Sequence, residues 1–176
     1  LQSSLLFRMA EIMYRGSSAG EDDRQVAADD VGLAFEIDSA NDDYAYSSIY
    51  EDTAMLFEEV MMKYHFGVAR EIGYTDRPTG ENLSCADYIV RWGVRHRSGD
   101  ALVKPRARQV LEFMFPTENV EDYLVALAAP VALVNGVDWC SNLDRFGSSL
   151  STRSATPSRS VPLRPDDRLA KSDRID

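Results

Sequence analysis

The chain has 176 residues, 44% of them hydrophobic and 10% aromatic, enough for one folded domain with a real core. No apolar run approaches the ~20 residues that a bilayer-crossing helix needs. The formal net charge of −10 is unevenly spread: from Ser148 onward six Lys or Arg face four Asp, leaving −12 on residues 1–147. A body this acidic repels phosphate backbones, which argues against nucleic acid as a partner.

In chain order, Leu5, Leu6, Met9, Ile12 and Met13 recur at helical spacing, and Gly16 ends a first helix. After the loop Gly16 to Gly20, a second helix is expected from about Asp22 to Asp38, its apolar side formed by Val26, Val31, Ala34, Phe35 and Ile37. Ser39 to Ser48 reads as a connection. Ser48 and Glu51 form a capping-box pattern that starts a third helix. Along it, Tyr50, Ala54, Phe57, Met61, Tyr64 and Val68 make one stripe expected in the core, with Glu51, Met55, Glu58, Met62 and His65 on the adjoining stripe.

Thr75 to Gly80 is a turn-rich break. Ser84 with Asp87 is expected to cap a fourth helix carrying Tyr88, Ile89, Trp92 and Val94, and Pro105 to open a fifth with Val110, Leu111, Met114 and Phe115. A sixth is expected over Thr117 to Val134, interrupted by Pro130 and ended by Asn135-Gly136. Beyond Gly147 the chain is rich in Ser, Arg, Pro and Asp, so residues 148–176 are expected to form a disordered tail on a helical domain of residues 1–147. Cys85 and Cys140 are open to two readings, one disulfide or two buried thiols. A basic strip from Arg91 to Arg108 holds Arg91, Arg95, Arg97, Lys104, Arg106 and Arg108 against Asp100 alone. It reads as a solvated helix end and loop, or as a contact surface for an acidic partner, with Trp92 available for stacking. His96 lies among these arginines, where protonation is disfavoured.

The most specific segment is Asp29-Asp30-Val31-Gly32-Leu33, followed by Ala34-Phe35-Glu36-Ile37-Asp38, then Asp43-Tyr44-Ala45-Tyr46-Ser47-Ser48 and Glu51-Asp52-Thr53-Ala54-Met55-Leu56-Phe57-Glu58. These flanks resemble secreted bacterial zinc metallopeptidases of the zincin type, in which the pentapeptide reads His-Glu-Val-Gly-His and a later Glu-Asp-x-Ala helix supplies a third zinc ligand. Two imidazoles at i and i+4 share a helix face and reach one metal. Here those positions are Asp29 and Leu33, and Leu has no lone pair to offer. Asp30 matches the general base of the family, one methylene shorter, and Glu51 matches the third ligand.

The resemblance implies a mainly α chain like the carboxy-terminal half of a zincin, with its zinc chemistry lost. The 28 residues before Asp29 read as helix plus loop and leave no room for the sheet that precedes the motif helix in such folds. With Leu1 in place of Met and no signal-type pattern, a processed or excised segment is expected. The resemblance further implies a periplasmic or extracellular location, tilting the cysteines towards a disulfide, and a peptide or protein as partner. Catalysis is not expected, and no cofactor is expected unless the zinc chemistry survives. Two other readings stand beside it. One is a metallohydrolase with a carboxylate site for a hard ion, built from Asp29, Asp30, Glu51 and Asp52, with Tyr44 or Tyr46 steadying an oxyanion. The other is a helical interaction domain unrelated to peptidases.

Overall fold

The computed structural model describes residues 1–147, so the tail expected over 148–176 lies outside the described residues. The fold is mainly helical, as expected, and carries a small sheet that was not. Seven helices, α1 (Ser4–Arg15), α2 (Glu21–Gln25), α3 (Ala28–Glu36), α4 (Ile49–Phe66), α5 (Lys104–Met114), α6 (Glu121–Ala126) and α7 (Trp139–Gly147), accompany three strands, β1 (Glu71–Thr75), β2 (Val90–Arg95) and β3 (Val131–Ala132). The strands form one antiparallel sheet in the order β1-β2-β3.

Local signals account for the helix ends. Ser3 Oγ accepts from Leu6 N at the start of α1, and Gly16, at φ 75°, supplies the left-handed residue that closes it. Ser48 Oγ caps α4 by accepting from Glu51 N, and Gly67 ends that helix at φ 67°. Pro105 sits in the first turn of α5, where a missing N–H leaves nothing unpaired.

Four expectations need correction. The helix foreseen from Asp22 to Asp38 breaks at Val26, whose extended backbone separates α2 from α3. Asp23 explains the short first piece: it accepts from Gly20 N and pairs with Arg8 of α1, anchoring α2 independently. The fourth helix is instead β2. Ser84 and Asp87 do form a capping box, yet it serves a single 3₁₀ turn, Cys85–Asp87, and Val90, Trp92 and Val94 then alternate with Arg91, Gly93 and Arg95 at the period of a strand. The sixth helix stops at Ala126, before Pro130, and the chain continues extended into β3. In α4 the buried face is Leu56, Glu59 and Val60, with Phe57 and Met61 partly covered, while Tyr50, Ala54, Tyr64 and Val68 are exposed.

Two apolar clusters result. The first packs Leu6 and Ala10 of α1, Val31 and Phe35 of α3, Ala40, Ala45 and Tyr46 of the following connection, and Ile72 and Val94 of the sheet. The second packs Leu56 and Val60 of α4, Val103, Ala107 and Leu111 at α5, and Val120, Leu124 and Leu127 at α6. α3 lies on one face of the sheet, where Phe35 meets Tyr74 and Trp92 edge-on. Gly32 is required there: a Cβ would stand 2.2 Å from Trp92 Cβ. On the other face Trp139 closes over Gly73, where a Cβ would meet its ring at 2.7 Å. A Cys85–Cys140 disulfide, with Cα atoms 5.3 Å apart, ties this covering segment to the loop before β2. Asn142, fully buried, accepts from Val134 N and donates to the carbonyls of Val134, Val137 and Asp138, fixing the turn between β3 and α7.

The clusters meet at a buried polar seam. Arg97, 3% exposed, donates to the carbonyls of Ala40 (3.3 Å), Phe35 (2.9 Å), Glu36 (3.0 Å) and Asp38 (2.6 Å), and pairs with Asp100 at 3.1 Å. Those carbonyls belong to the end of α3 and the chain after it, which have no helical partners of their own. Beside it, Glu59 of α4 accepts from Asn41 Nδ2 at 2.9 Å and Ser98 N at 3.3 Å. Arg106 of α5 donates to Ser39 O at 2.6 Å and pairs with Asp52 of α4.

Candidate functional site

Because Val31, Gly32 and Phe35 are pressed onto the sheet and α1, the helical period turns Asp29, Asp30, Leu33, Glu36 and Ile37 outward. Asp29 and Asp30 occupy the first turn of α3, where carboxylates favour the helix dipole. Leu33 is 57% exposed, one turn further along the same face. Trp92 Nε1 donates to Glu36 Oε2 at 2.9 Å and pins the far end of the helix to β2. The three pentapeptide positions singled out in the sequence therefore lie together on an open face.

Glu51 is placed differently. It stands in the first turn of α4, its backbone N–H bound by Ser48 Oγ at 3.1 Å. The nearby Glu51 charge, with burial adding to it, raises the Tyr44 hydroxyl above its ordinary range. α3 packs on β1, β2 and α1, whereas α4 packs on the 3₁₀ turn Tyr44–Tyr46, α5 and α6. Asp52 is held by Arg106. Among the described residues, no group of three or more His, Cys, Asp or Glu side chains is arranged to hold a metal ion. The zincin donor set thus does not fit zinc in this chain: Asp29 offers oxygen, Leu33 offers nothing, and Glu51 stands on another helix.

A second feature was not foreseen. Between α1, the α2–α3 junction and β1 lies a cavity of about 490 Å³. Leu6, Met9, Met13, Val26 and Val31 form its apolar wall, and Tyr14, Asp43, Tyr46 and Tyr74 its polar end. Tyr14 donates to Asp43 Oδ2 at 2.8 Å, and the rings of Tyr14 and Tyr44 meet edge-on at 4.7 Å. The Tyr74 hydroxyl is buried without a hydrogen-bond partner. Burial, then the charge of Asp43 and its neighbours, pushes Tyr74 far above its ordinary range, so it stays protonated. Burial followed by Asp38 does the same for Tyr46, which is a core residue.

Next to the cavity, Asp42 is 2% exposed and paired with Arg70. Burial and the adjacent Asp43 outweigh Arg70 and push its carboxyl up to about 6. Asp38 goes the other way. Burial would raise it, but the N–H groups of Gln2, Ser3 and Ser39, at 2.8, 3.0 and 2.7 Å, hold it below the usual range.

The basic strip proves to be largely occupied by ion pairs within the chain. Arg91 pairs with Asp76, Arg95 with Glu71, Arg106 with Asp52 and Arg108 with Glu121 and Glu112, while Arg97 is buried. The guanidiniums stitch elements together, and Trp92 is occupied with α3. His96 adopts φ 65°, and burial followed by Lys63 and Arg95 lowers its pKa, in line with the sequence reading. His65 is exposed at the end of α4 against Tyr64 and Tyr123.

Comparison with known protein families, curated proteins and solved structures finds no match to this chain.

Proposed function

We propose that this chain is a metallopeptidase-like binding domain that has lost zinc-dependent hydrolysis and engages a peptide or protein. One observation carries the reading. The helix that holds the pentapeptide presents positions 29, 30 and 33 together on an open face, with Leu33, which cannot ligate, where the second imidazole would stand. Asp30 keeps a carboxylate at the position of the general base, without a metal-bound water to act on. The Cys85–Cys140 disulfide fits the periplasmic or extracellular location that the resemblance implies.

The test is calorimetric titration of zinc into metal-stripped protein, beside a variant carrying Asp29→His, Asp30→Glu and Leu33→His. The expected result is no binding by the native chain and binding by the variant. Tight binding by the native chain would overturn the reading. If neither binds, the resemblance does not extend to a zinc scaffold in this chain, either because the site needs a further lobe or because the domain is a helical interaction module. That second reading draws support from the apolar groove where Leu1, Leu5, Ala34, Ile37 and Leu102 meet beside Leu33. The carboxylate-based metallohydrolase lacks comparable support, since Asp52 is held by Arg106 and, among the described residues, no three carboxylates gather.

A further inference from the structure

We infer that the cavity between α1, the α2–α3 junction and β1 is a binding site for a primary amine carried on an apolar chain. Its size, about 490 Å³, falls in the range of small-molecule sites, which are apolar clefts with a few converging polar groups. The long wall has the composition for an alkyl chain, with Met9 and Met13 able to adapt to its shape.

The polar end selects the charge. Asp43 and the adjacent Asp42 are opposed there by Arg70 alone, so the inner end carries one net negative charge when both carboxylates are ionised. Asp76, at the mouth, is neutralised by Arg91, and Arg77 is exposed to water, which screens it. An ammonium has three donors and no acceptor. One meets Asp43, which lines the polar end, and the others stay with water. A carboxylate at the same place would face Asp43, and an alcohol would leave the charge unmatched. The inference is independent of whether the outer face of α3 ever held a metal.

The experiment titrates hexylamine, 1-hexanol and hexanoate into the full chain at pH 7.5, following methyl and aromatic NMR signals. Hexylamine is expected to shift Met9, Met13 and Tyr74, to bind about tenfold more tightly than the alcohol, and hexanoate to bind least. Asp43→Asn should reduce hexylamine to the level of the alcohol, whereas Tyr74→Phe should change neither. Equal affinity for amine and alcohol, or shifts confined to residues outside the cavity, would overturn the proposal without touching the zinc result above. Should a variant unfold, the ligand ranking on the native chain still decides. Two peptides separate the sources of the amine: Ac-Ala-Leu-Lys-Leu-Ala-amide and its Nε-acetylated form. Competition by the first alone assigns a lysine side chain, and competition by neither assigns a free small amine.

Discussion

The cluster formed by α4, α5 and α6 closes on aliphatic side chains, with Leu56, Val103, Ala107 and Leu111 fully buried. The cluster formed by α1, α3 and the sheet shares its interior with Tyr46, Tyr74, Asp38 and Asp42, and leaves about 490 Å³ unfilled. The two are built from similar numbers of apolar residues, yet the buried carboxylate of the α4–α6 cluster, Glu59, is satisfied by Asn41 and Ser98, whereas in the α1–α3–sheet cluster the Tyr46 and Tyr74 hydroxyls are buried without partners. Close packing favours stability, and unmatched polar groups are where a fold departs from it for another purpose. On this view the α4–α6 unit is a foundation, and binding belongs to the α1–α3–sheet unit.

The largest effect is expected where the two meet. Arg97→Ala would remove a donor from the carbonyls of Phe35, Glu36, Asp38 and Ala40, of which Phe35 keeps only the N–H of the following turn, and leave Asp100 without this partner. Losing a buried hydrogen-bonded charge costs about 3–5 kcal/mol, to be read from urea unfolding. Hydrogen exchange sharpens the comparison. Protection of residues 35–41 should fall first and that of α5 and α6 later. Simultaneous loss would mean a single cooperative unit.

Next comes the foundation itself. Leu111→Ala removes a fully buried side chain from the dry cluster and should destabilise by about 2–4 kcal/mol. If the division is right, the affinity for hexylamine stays within twofold of the native value under folding conditions. A larger change would show that the second cluster shapes the first.

Gly32→Ala probes how tightly α3 is seated. In an exposed helix interior this exchange stabilises by up to ~1 kcal/mol. Here the new methyl would lie 2.2 Å from Trp92 Cβ and 2.4 Å from Cγ, so α3 must lift from β2. A destabilisation of about 1–3 kcal/mol is expected, with a change in Trp92 fluorescence as its bond to Glu36 lengthens. A stabilised variant would mean that α3 floats on the sheet.

How far the sequence revealed this depends on whether a signal was local. Ser48 marks the start of α4, and Gly16 and Pro105 mark α1 and α5, because caps act within one turn, while the stripe expected through Val68 runs past the real stop at Gly67. The face of α4 was misjudged because Glu59, an acid, lies in the buried stripe, satisfied by Asn41 and Ser98 from distant segments. β2 was misread because a genuine Ser84–Asp87 capping box precedes it, while the period-two pattern of Val90, Trp92 and Val94 is only six residues long. The pentapeptide positions were legible as one face of a helix. The cavity was not: Tyr14, Asp43 and Tyr74 come from three segments, and only the fold brings them together. The Asp42-Asp43 doublet was the one hint, and acidic doublets in connections are usually solvated.

The smallest effect separates the two units by pH. Asp42, pushed up to about 6 by burial and Asp43 against Arg70, binds its proton more tightly in the folded chain than in the unfolded one. Its contribution to stability is therefore fully present below about pH 4 and is lost as pH rises through 6, opposite in sign to Asp38, Asp76 and Asp138, whose lowered values favour the fold at higher pH. Asp42→Asn removes the titration and retains an acceptor for Tyr44 N. The native chain should lose stability relative to this variant between pH 4 and 6 by on the order of 1 kcal/mol, because Arg70, partly open to water, shares the field with solvent. Urea midpoints of the two chains, taken at intervals across that window, measure it. A difference that stays flat from pH 4 to 7 would mean that Asp42 is ionised throughout, and that the unit under α1 is no more strained electrostatically than the one under α4.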